Sequence, residues 1–263
     1  MKVSYFPGCT LKNKAKTLDV YARKCAEVLG VTLEEIENWQ CCGGVFTSKD
    51  EAGSKLSSVR ALKYAGEKEQ PLVSVCSACH NVLKQTNYLM KNDEGFCTKV
   101  NRYMAEDTSY DGSTEIYHYL ELLRDVVGFD KIKEAVVNPL KGKKIAPYYG
   151  CLLLRPSSVM QMDDPENPTI FEDLIKALGA EVVVSSMRNE CCGGYVTMEK
   201  PEFAKRKSME ITSNAQTMGA DCIVTACPLC KYNLDKNSDS IPVVYFTELL
   251  AEALGVKEEC DNA

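Results

Sequence analysis

The chain has 263 residues, 45% hydrophobic and 26% charged, with a formal net charge of −6; this is the balance of a packed protein with room for two domains, and it excludes a disordered or low-complexity chain. With no basic stripe above the acidic background, nucleic acid is excluded as the main partner. No apolar run approaches the roughly 18 to 20 residues that cross a bilayer, and no signal-peptide pattern follows Met1, so the expectation is no membrane span and a cytoplasmic location.

Lys2 to Phe6 reads as a buried strand that runs into Gly8 and Cys9. Lys16 to Leu29 has helical spacing of apolar residues, with Gly30 placed to end the helix. A strand and then Cys41-Cys42-Gly43-Gly44 follow. A polar stretch turns helical from Ala52 to Gly66, and Leu72 to Val75 is a strand that delivers Cys76-x-x-Cys79 at its end. The Pro/Gly/Lys segment from Asn138 to Lys143 separates an N-terminal half, 1–140, from a C-terminal half, 141–263.

The second half repeats the order. Lys144 to Tyr149 is the opening strand before Gly150 and Cys151, Thr169 to Leu178 is a helix closed by Gly179, and a strand leads to Cys191-Cys192-Gly193-Gly194. Phe203 to Met218 is helical, and Cys222 to Thr225 delivers Cys227-x-x-Cys230. Alternating strands and helices predict an α/β fold of two tandem duplicated Rossmann-like domains with parallel sheets, pseudo-twofold related. Ligand sites in such sheets form beyond the carboxyl ends of the strands, where all three cysteine groups of a half would meet.

Ten of the fourteen cysteines fall into the two matching sets. Between Cys9 and Cys41 lie 31 residues and between Cys42 and Cys76 lie 33, against 39 and 34 in the second set. The flanks match too: Phe6-Pro7-Gly8-Cys9 with Tyr148-Tyr149-Gly150-Cys151, Val73-Ser74-Val75-Cys76 with Val224-Thr225-Ala226-Cys227, and Glu121-Leu122-Leu123 with Glu248-Leu249-Leu250.

Four readings compete for these cysteines. Structural zinc takes four ligands in a closed tetrahedron, so five with an adjacent pair fit it poorly, although a zinc-stabilised scaffold stays as an alternative. A disulfide framework is disfavoured in a reducing compartment, and adjacent cysteines bridge only with distortion. Cys76-Ser77-Ala78-Cys79-His80 matches the signature for covalent haem attachment, but Lys231 stands where the repeat would need the histidine, so the match is taken as coincidental and His80 as a hydrogen-bonding or solvated helix-start residue. The fourth reading is an iron–sulfur cluster in each half, with a fifth thiolate free to bridge irons and glycines that admit backbone close to a bulky cluster.

Cys25, Cys97, Cys222 and Cys260 have no counterpart in the other half and read as packing or incidental residues, as do His118 and Trp39.

At these motifs the chain resembles the tandem CCG-domain family, and within it the B subunit of heterodisulfide reductase. The five-cysteine motif occurs twice over nearly the whole chain, and the stretches Tyr148 to Pro156 and Asp163 to Pro168 resemble that subunit. The resemblance implies one noncubane [4Fe-4S] cluster per CCG domain, two in all, with Cys9, Cys41, Cys42, Cys76 and Cys79 holding one and Cys151, Cys191, Cys192, Cys227 and Cys230 the other. It further implies two-electron reductive cleavage of the coenzyme M–coenzyme B disulfide to two thiols between the clusters, with no protein nucleophile. Partners implied are the ferredoxin-like [4Fe-4S] C subunit of heterodisulfide reductase, its flavin- and iron-sulfur-containing A subunit, and, in a larger complex, a hydrogenase or formate dehydrogenase. For the anionic groups of such a substrate, Arg155 and Lys14 are the cationic candidates. A related alternative is an iron–sulfur electron-transfer CCG subunit of a hydroxy-acid or glycerol-phosphate dehydrogenase or of a thiol:fumarate reductase.

Overall fold

The computed structural model describes residues 1–44, 50–105 and 109–257. Four strands of the first half, β1 (Lys2–Phe6), β2 (Thr32–Glu35), β3 (Leu72–Ser74) and β4 (Ile116–His118), form one parallel sheet in the order β2-β1-β3-β4. Four of the second half, β5 (Lys144–Tyr148), β6 (Glu181–Val182), β7 (Cys222–Thr225) and β8 (Val243–Tyr245), repeat that order as β6-β5-β7-β8. The duplication seen in the cysteines is a duplication of topology. β1 and β5 are buried from their second residue onward, as strands covered by helices on both faces must be.

Helix Lys16–Val28 ends at Gly30, whose φ of +79° is the left-handed conformation that glycine adopts without strain. The Gly30 N–H reaches Glu27 O and the Val31 N–H reaches Ala26 O, two bonds that close the last turn. Helix Ile170–Ala177 ends the same way, through Gly179 to Lys176 O and Ala180 to Ile175 O.

The sheets part between residues 118 and 144, but the helices do not respect that division. Helix Phe246–Leu254 at the end of the second half packs on helix Lys16–Val28 of the first, where the Thr247 hydroxyl donates to Leu18 O at 3.2 Å. Reciprocally, helix Phe129–Ala135 packs on helix Ile170–Ala177. Each half therefore lends its closing helix to the other, and one continuous apolar core runs through both, with the Phe246 ring 5.8 Å from His118, 5.8 Å from Tyr119 and 6.3 Å from Phe171. That core joins the two halves across the repeat boundary.

Candidate metal centre

In each half the three cysteine groups follow the carboxyl ends of three neighbouring strands, where the sequence pattern predicts them. Cys9 opens the short helix after β1, Cys41-Cys42 lies after β2, and Cys76 caps helix Ser77–Asn92 after β3, with Cys79 in its first turn. Cys151, Cys191-Cys192 and Cys227 take the same places after β5, β6 and β7, with Cys230 in the first turn of helix Pro228–Asn237.

The sulfurs converge as free thiols. Cys9 and Cys41 Sγ lie 3.6 Å apart and Cys42 and Cys79 Sγ 3.5 Å; in the second set, Cys151 and Cys191 are 3.6 Å apart and Cys192 and Cys230 3.6 Å. Cys76 interacts with Cys79, and Cys227 with Cys230, so each set falls into a pair, Cys9 with Cys41 or Cys151 with Cys191, and a trio that joins it along the chain through the adjacent cysteines. The Gly43 N–H points at Cys41 Sγ at 3.5 Å and the Gly193 N–H at Cys191 Sγ at 3.4 Å.

Crowded thiols divide the available protons among themselves. The hydrogen bond from Cys79 lowers the Cys42 thiol to about 7, while Cys79 is pushed well up by Cys42, Cys76 and burial. Burial raises Cys41 to about 11. In the second set the bond from Cys151 lowers Cys191 to about 6 and the bond from Cys230 lowers Cys192, with Cys151 and Cys230 raised in turn. In each set a lowered thiol stands beside a raised one, so protons are retained at Cys41, Cys79, Cys151 and Cys230, where a bound metal would take their place, with Lys55 and Lys207 as nearby cations. An all-sulfur set of five fits iron–sulfur ligation and does not suit the hard cations, which take oxygen ligands.

Glycine at position 8 is required by contact as well as by conformation. Its φ is +77°, and a Cβ there would lie 2.8 Å from Cys79 Sγ. Gly219 has a comparable φ of +88° with nothing near its Cβ position. Gly8→Ala is expected to lower Tm clearly more than Gly219→Ala, because strain of about 1–3 kcal/mol is common to both and displacement of the Cys79 thiol is not. Equal losses measured by thermal unfolding would show that the thiol has room to move.

The longer Cys151 to Cys191 spacing is accounted for by a buttress. Asp164 accepts the N–H groups of Glu166 and Asn167, and Asp163 accepts those of Thr169 and Ile170 at the start of helix Ile170–Ala177. Asn167 in turn accepts from Arg188, which pairs with Glu172 at 3.4 Å, and Glu172 bonds the Tyr149 hydroxyl. The Arg188 carbonyl holds the N–H groups of Tyr149 and Gly150. The Asp163 to Pro168 segment thereby ties the strand end before Cys151 to the loop before Cys191.

Lys14 and Arg155 are not equivalent. Lys14 borders a cavity of about 780 Å³ between the helices after Cys9 and those after Cys227, which Thr10, Leu18, Leu229, Tyr232 and Asp235 also line. The pseudo-twofold counterpart, between Cys151 to Met160 and helix Ser77–Asn92, is closed: Asn81 donates to Leu152 O and Arg155 O, both at 2.8 Å, and touches Met160 Sδ. The Arg155 side chain lies half-exposed, 3.7 Å from Glu166.

His80 is not solvated. It is fully buried, its Nε2 3.3 Å from Glu121 Oε2 and its ring 5.5 Å from that of His118, a packing position that leaves no axial face for a haem. Trp39 packs edge-on to Phe6 and donates to Glu35. Cys25 is buried, which raises its thiol to about 12, and burial raises Cys222 to about 11. Cys97 rests on Asn101 and the Tyr110 carbonyl. Cys260 lies outside the described residues. One residue not singled out by motif reaches from the second half to the first: the Tyr195 hydroxyl lies 3.7 Å from the point where a Gly44 Cβ would stand.

The cysteine-rich domain model named CCG matches residues 3–84 and again 145–235. The chain is 33% identical to the 8-methylmenaquinol:fumarate reductase membrane anchor subunit of Wolinella succinogenes, over 96% of this chain and 92% of that one. It is 31% identical to the B subunit of the ferredoxin:CoB-CoM heterodisulfide reductase of Methanosarcina mazei, over 97% and 89%. A hypothetical protein from Helicobacter pylori shares the fold with a TM-score of 0.74 at 12% identity, over 98% of this chain and 49% of that one. Among the described residues no helix is long and apolar enough to cross a membrane.

Proposed function

The chain belongs to the CCG cysteine-rich family, as do relatives named as the B subunit of heterodisulfide reductase, and on that footing we propose that it is the disulfide-cleaving subunit of a heterodisulfide reductase with one noncubane [4Fe-4S] cluster in each half. The observation that carries the reading is the double convergence: two five-thiol sets, each at one sheet rim, in a pseudo-symmetric frame whose halves are locked by exchanged helices. Cys9, Cys41, Cys42, Cys76 and Cys79 hold one cluster and Cys151, Cys191, Cys192, Cys227 and Cys230 the other, with the division of the halves at 140/141. Bound there, the clusters supply the two electrons that a disulfide needs, one to each sulfur.

The substrate is the disulfide of coenzyme M and coenzyme B, which takes up two electrons and two protons to give two thiols. The protein's own work is to hold, orient and screen. Gly43 and Gly193 donate N–H groups toward the thiolates, and Lys14 at the mouth of the 780 Å³ cavity offers a cation to an anionic substrate group, with Arg155 as a second, more exposed candidate. Electrons enter from the ferredoxin-like and flavin-containing partner subunits, fed in a larger complex by a hydrogenase or formate dehydrogenase.

The similarity to a fumarate reductase subunit favours a second reading, in which the same clusters pass electrons toward fumarate reduction and no disulfide is cut. Protein purified without oxygen is expected to hold about eight irons per chain, as two four-iron clusters demand. After oxidation with coenzyme M present it should give a thiol-dependent EPR signal. About eight irons without response to thiols would favour the second reading. Zinc with no more than four irons would overturn both.

A further inference from the structure

The halves repeat their cysteines but not the residue after the paired glycines: Tyr195 follows Gly194, where Val45 follows Gly44. Tyr195 sits in the short 3-10 turn Gly194–Val196, whose start is fixed at Gly193 by a φ of +77° and by the Cα of Ala204, 3.1 Å from where a Cβ would be. The turn's end is fixed by Val196 N–H to Gly193 O at 3.0 Å and by the Thr197 hydroxyl, which reaches Gly193 O and Asn233 Oδ1. From this anchored base the ring crosses to the other half. The Tyr195 hydroxyl lies 3.7 Å from the point where a Gly44 Cβ would stand, and Cys42 Sγ lies 3.6 Å from the same point. At the pseudo-equivalent Gly194 the three atoms nearest the same point are two of Leu229, at 3.2 and 3.3 Å, and Cys192 Sγ at 3.4 Å.

Tyr195 is 43% exposed and makes no hydrogen bond among the described residues. A phenol keeps its proton at neutral pH, so with no partner among the described residues the hydroxyl presents itself as a donor. The symmetry is broken a second time by the cavity, open on the Lys14 side and closed by Asn81 on the other. Leu229 joins the two breaks, since it lines the cavity and also stands 3.2 Å from the Gly194 Cβ position. A two-fold symmetric site reads both ends of a disulfide alike; this one does not.

Resting on the disulfide-reductase reading, we propose that Tyr195 is the specificity-determining residue that orients an asymmetric disulfide, its hydroxyl donating to the substrate sulfur on the Gly44 side while the arm of the other sulfur runs past Leu229 into the cavity. The test compares the parent with Tyr195→Phe on the coenzyme M–coenzyme B disulfide and on the two matching homodisulfides, alongside iron content and the EPR titration with coenzyme M. The expected result is unchanged iron, a roughly tenfold lower kcat/KM for the mixed disulfide, less preference for it over the homodisulfides, and half-saturation of the EPR signal at roughly tenfold more thiol, the scale of one lost hydrogen bond. Unchanged preference and an unchanged EPR titration in a variant with full iron would overturn the assignment. So would loss of iron in Tyr195→Phe, which would make the ring a support of the loop. A parent with no iron would sink the disulfide-reductase reading itself, a result distinct from either.

Discussion

A Cys192→Ala protein is expected to keep about four of the parent's roughly eight irons and to lose disulfide cleavage almost completely, and Cys42→Ala to do the same through the other half. Cys192 is buried at 4% exposure, with its sulfur 3.6 Å from Cys230 and its thiol proton affinity lowered by that neighbour. The backbone beside it is held independently of the thiol, by the Asn233 amide donating to Cys192 O at 2.6 Å, so the substitution should remove a ligand and leave the loop in place. The two variants damage different sheets and share no cysteine. Equal, near-total loss of cleavage from either would follow from a reaction that needs one electron at each sulfur; each variant's remaining cluster would still be visible by EPR. Full disulfide reduction by either variant would sink the two-cluster mechanism, and a colourless Cys192→Ala protein would mean that the halves do not load separately.

The two five-cysteine sets were legible because their order along the chain follows the order of the strands. Each cysteine group follows a strand end, and duplication prints the same five positions twice. Helix stops at Gly30 and Gly179 were legible for a local reason: a left-handed residue after an amphipathic run is a backbone property. Strands β4 and β8 were not, since no cysteine group follows them to mark the strand end as Cys76 and Cys227 mark β3 and β7. Their signal lay downstream, in Glu121 and Glu248, whose carboxylates cap the N–H groups of His118 and Tyr245 at 2.7 and 2.5 Å. The exchange of helices was illegible, because the apolar face of Phe246–Leu254 states that a partner exists and not which one. Tyr195 was hidden among thirteen tyrosines, and only departure from the repeat, against Val45, marks it.

His118 and Tyr245 occupy equivalent positions and do related work with different chemistry. The Tyr245 hydroxyl reaches Val75 O at 2.7 Å and Ala226 O at 2.8 Å, the carbonyls just before Cys76 and Cys227, so it ties both Cys-x-x-Cys turns together on the pseudo-twofold. His118 Nε2 lies 3.1 Å from Val75 O, and its Nδ1 accepts from the Leu120 N–H at 3.1 Å, partners that assign the neutral ring with its proton on Nε2. A second proton would charge a fully buried ring and eject the Leu120 N–H. Burial accordingly pulls His118 down to about 3, with Lys84 adding in the same direction and the carbonyls of Val75 and Ala226 opposing.

Between the unfolded value of about 6.5 and the folded value, the unfolded chain binds more protons, so stability is lost as pH falls through that window, by about 1.4 kcal/mol per pH unit for one such histidine. Burial lowers His80 as well and adds to the slope, whereas the raised carboxyls of Glu121 and Glu172 work against it above about 4.5. The clean measurement is therefore a difference: denaturant unfolding of the parent and of His118→Gln, which keeps a donor and an acceptor but cannot titrate, between pH 8 and pH 5. Contributions from the cysteines, Glu121 and Glu172 are common to both proteins and cancel, and that of His80, whose ring lies 5.5 Å from His118, cancels while both rings are neutral in the folded protein. The gap between the two curves should be constant above about pH 7 and narrow by about 1.4 kcal/mol per unit below 6.5, because keeping the ring neutral costs the parent stability and costs the variant none. Parallel curves down to pH 5 would mean that His118 accepts its second proton in the folded protein, and that the turns before Cys76 and Cys227 are held by Tyr245 without it.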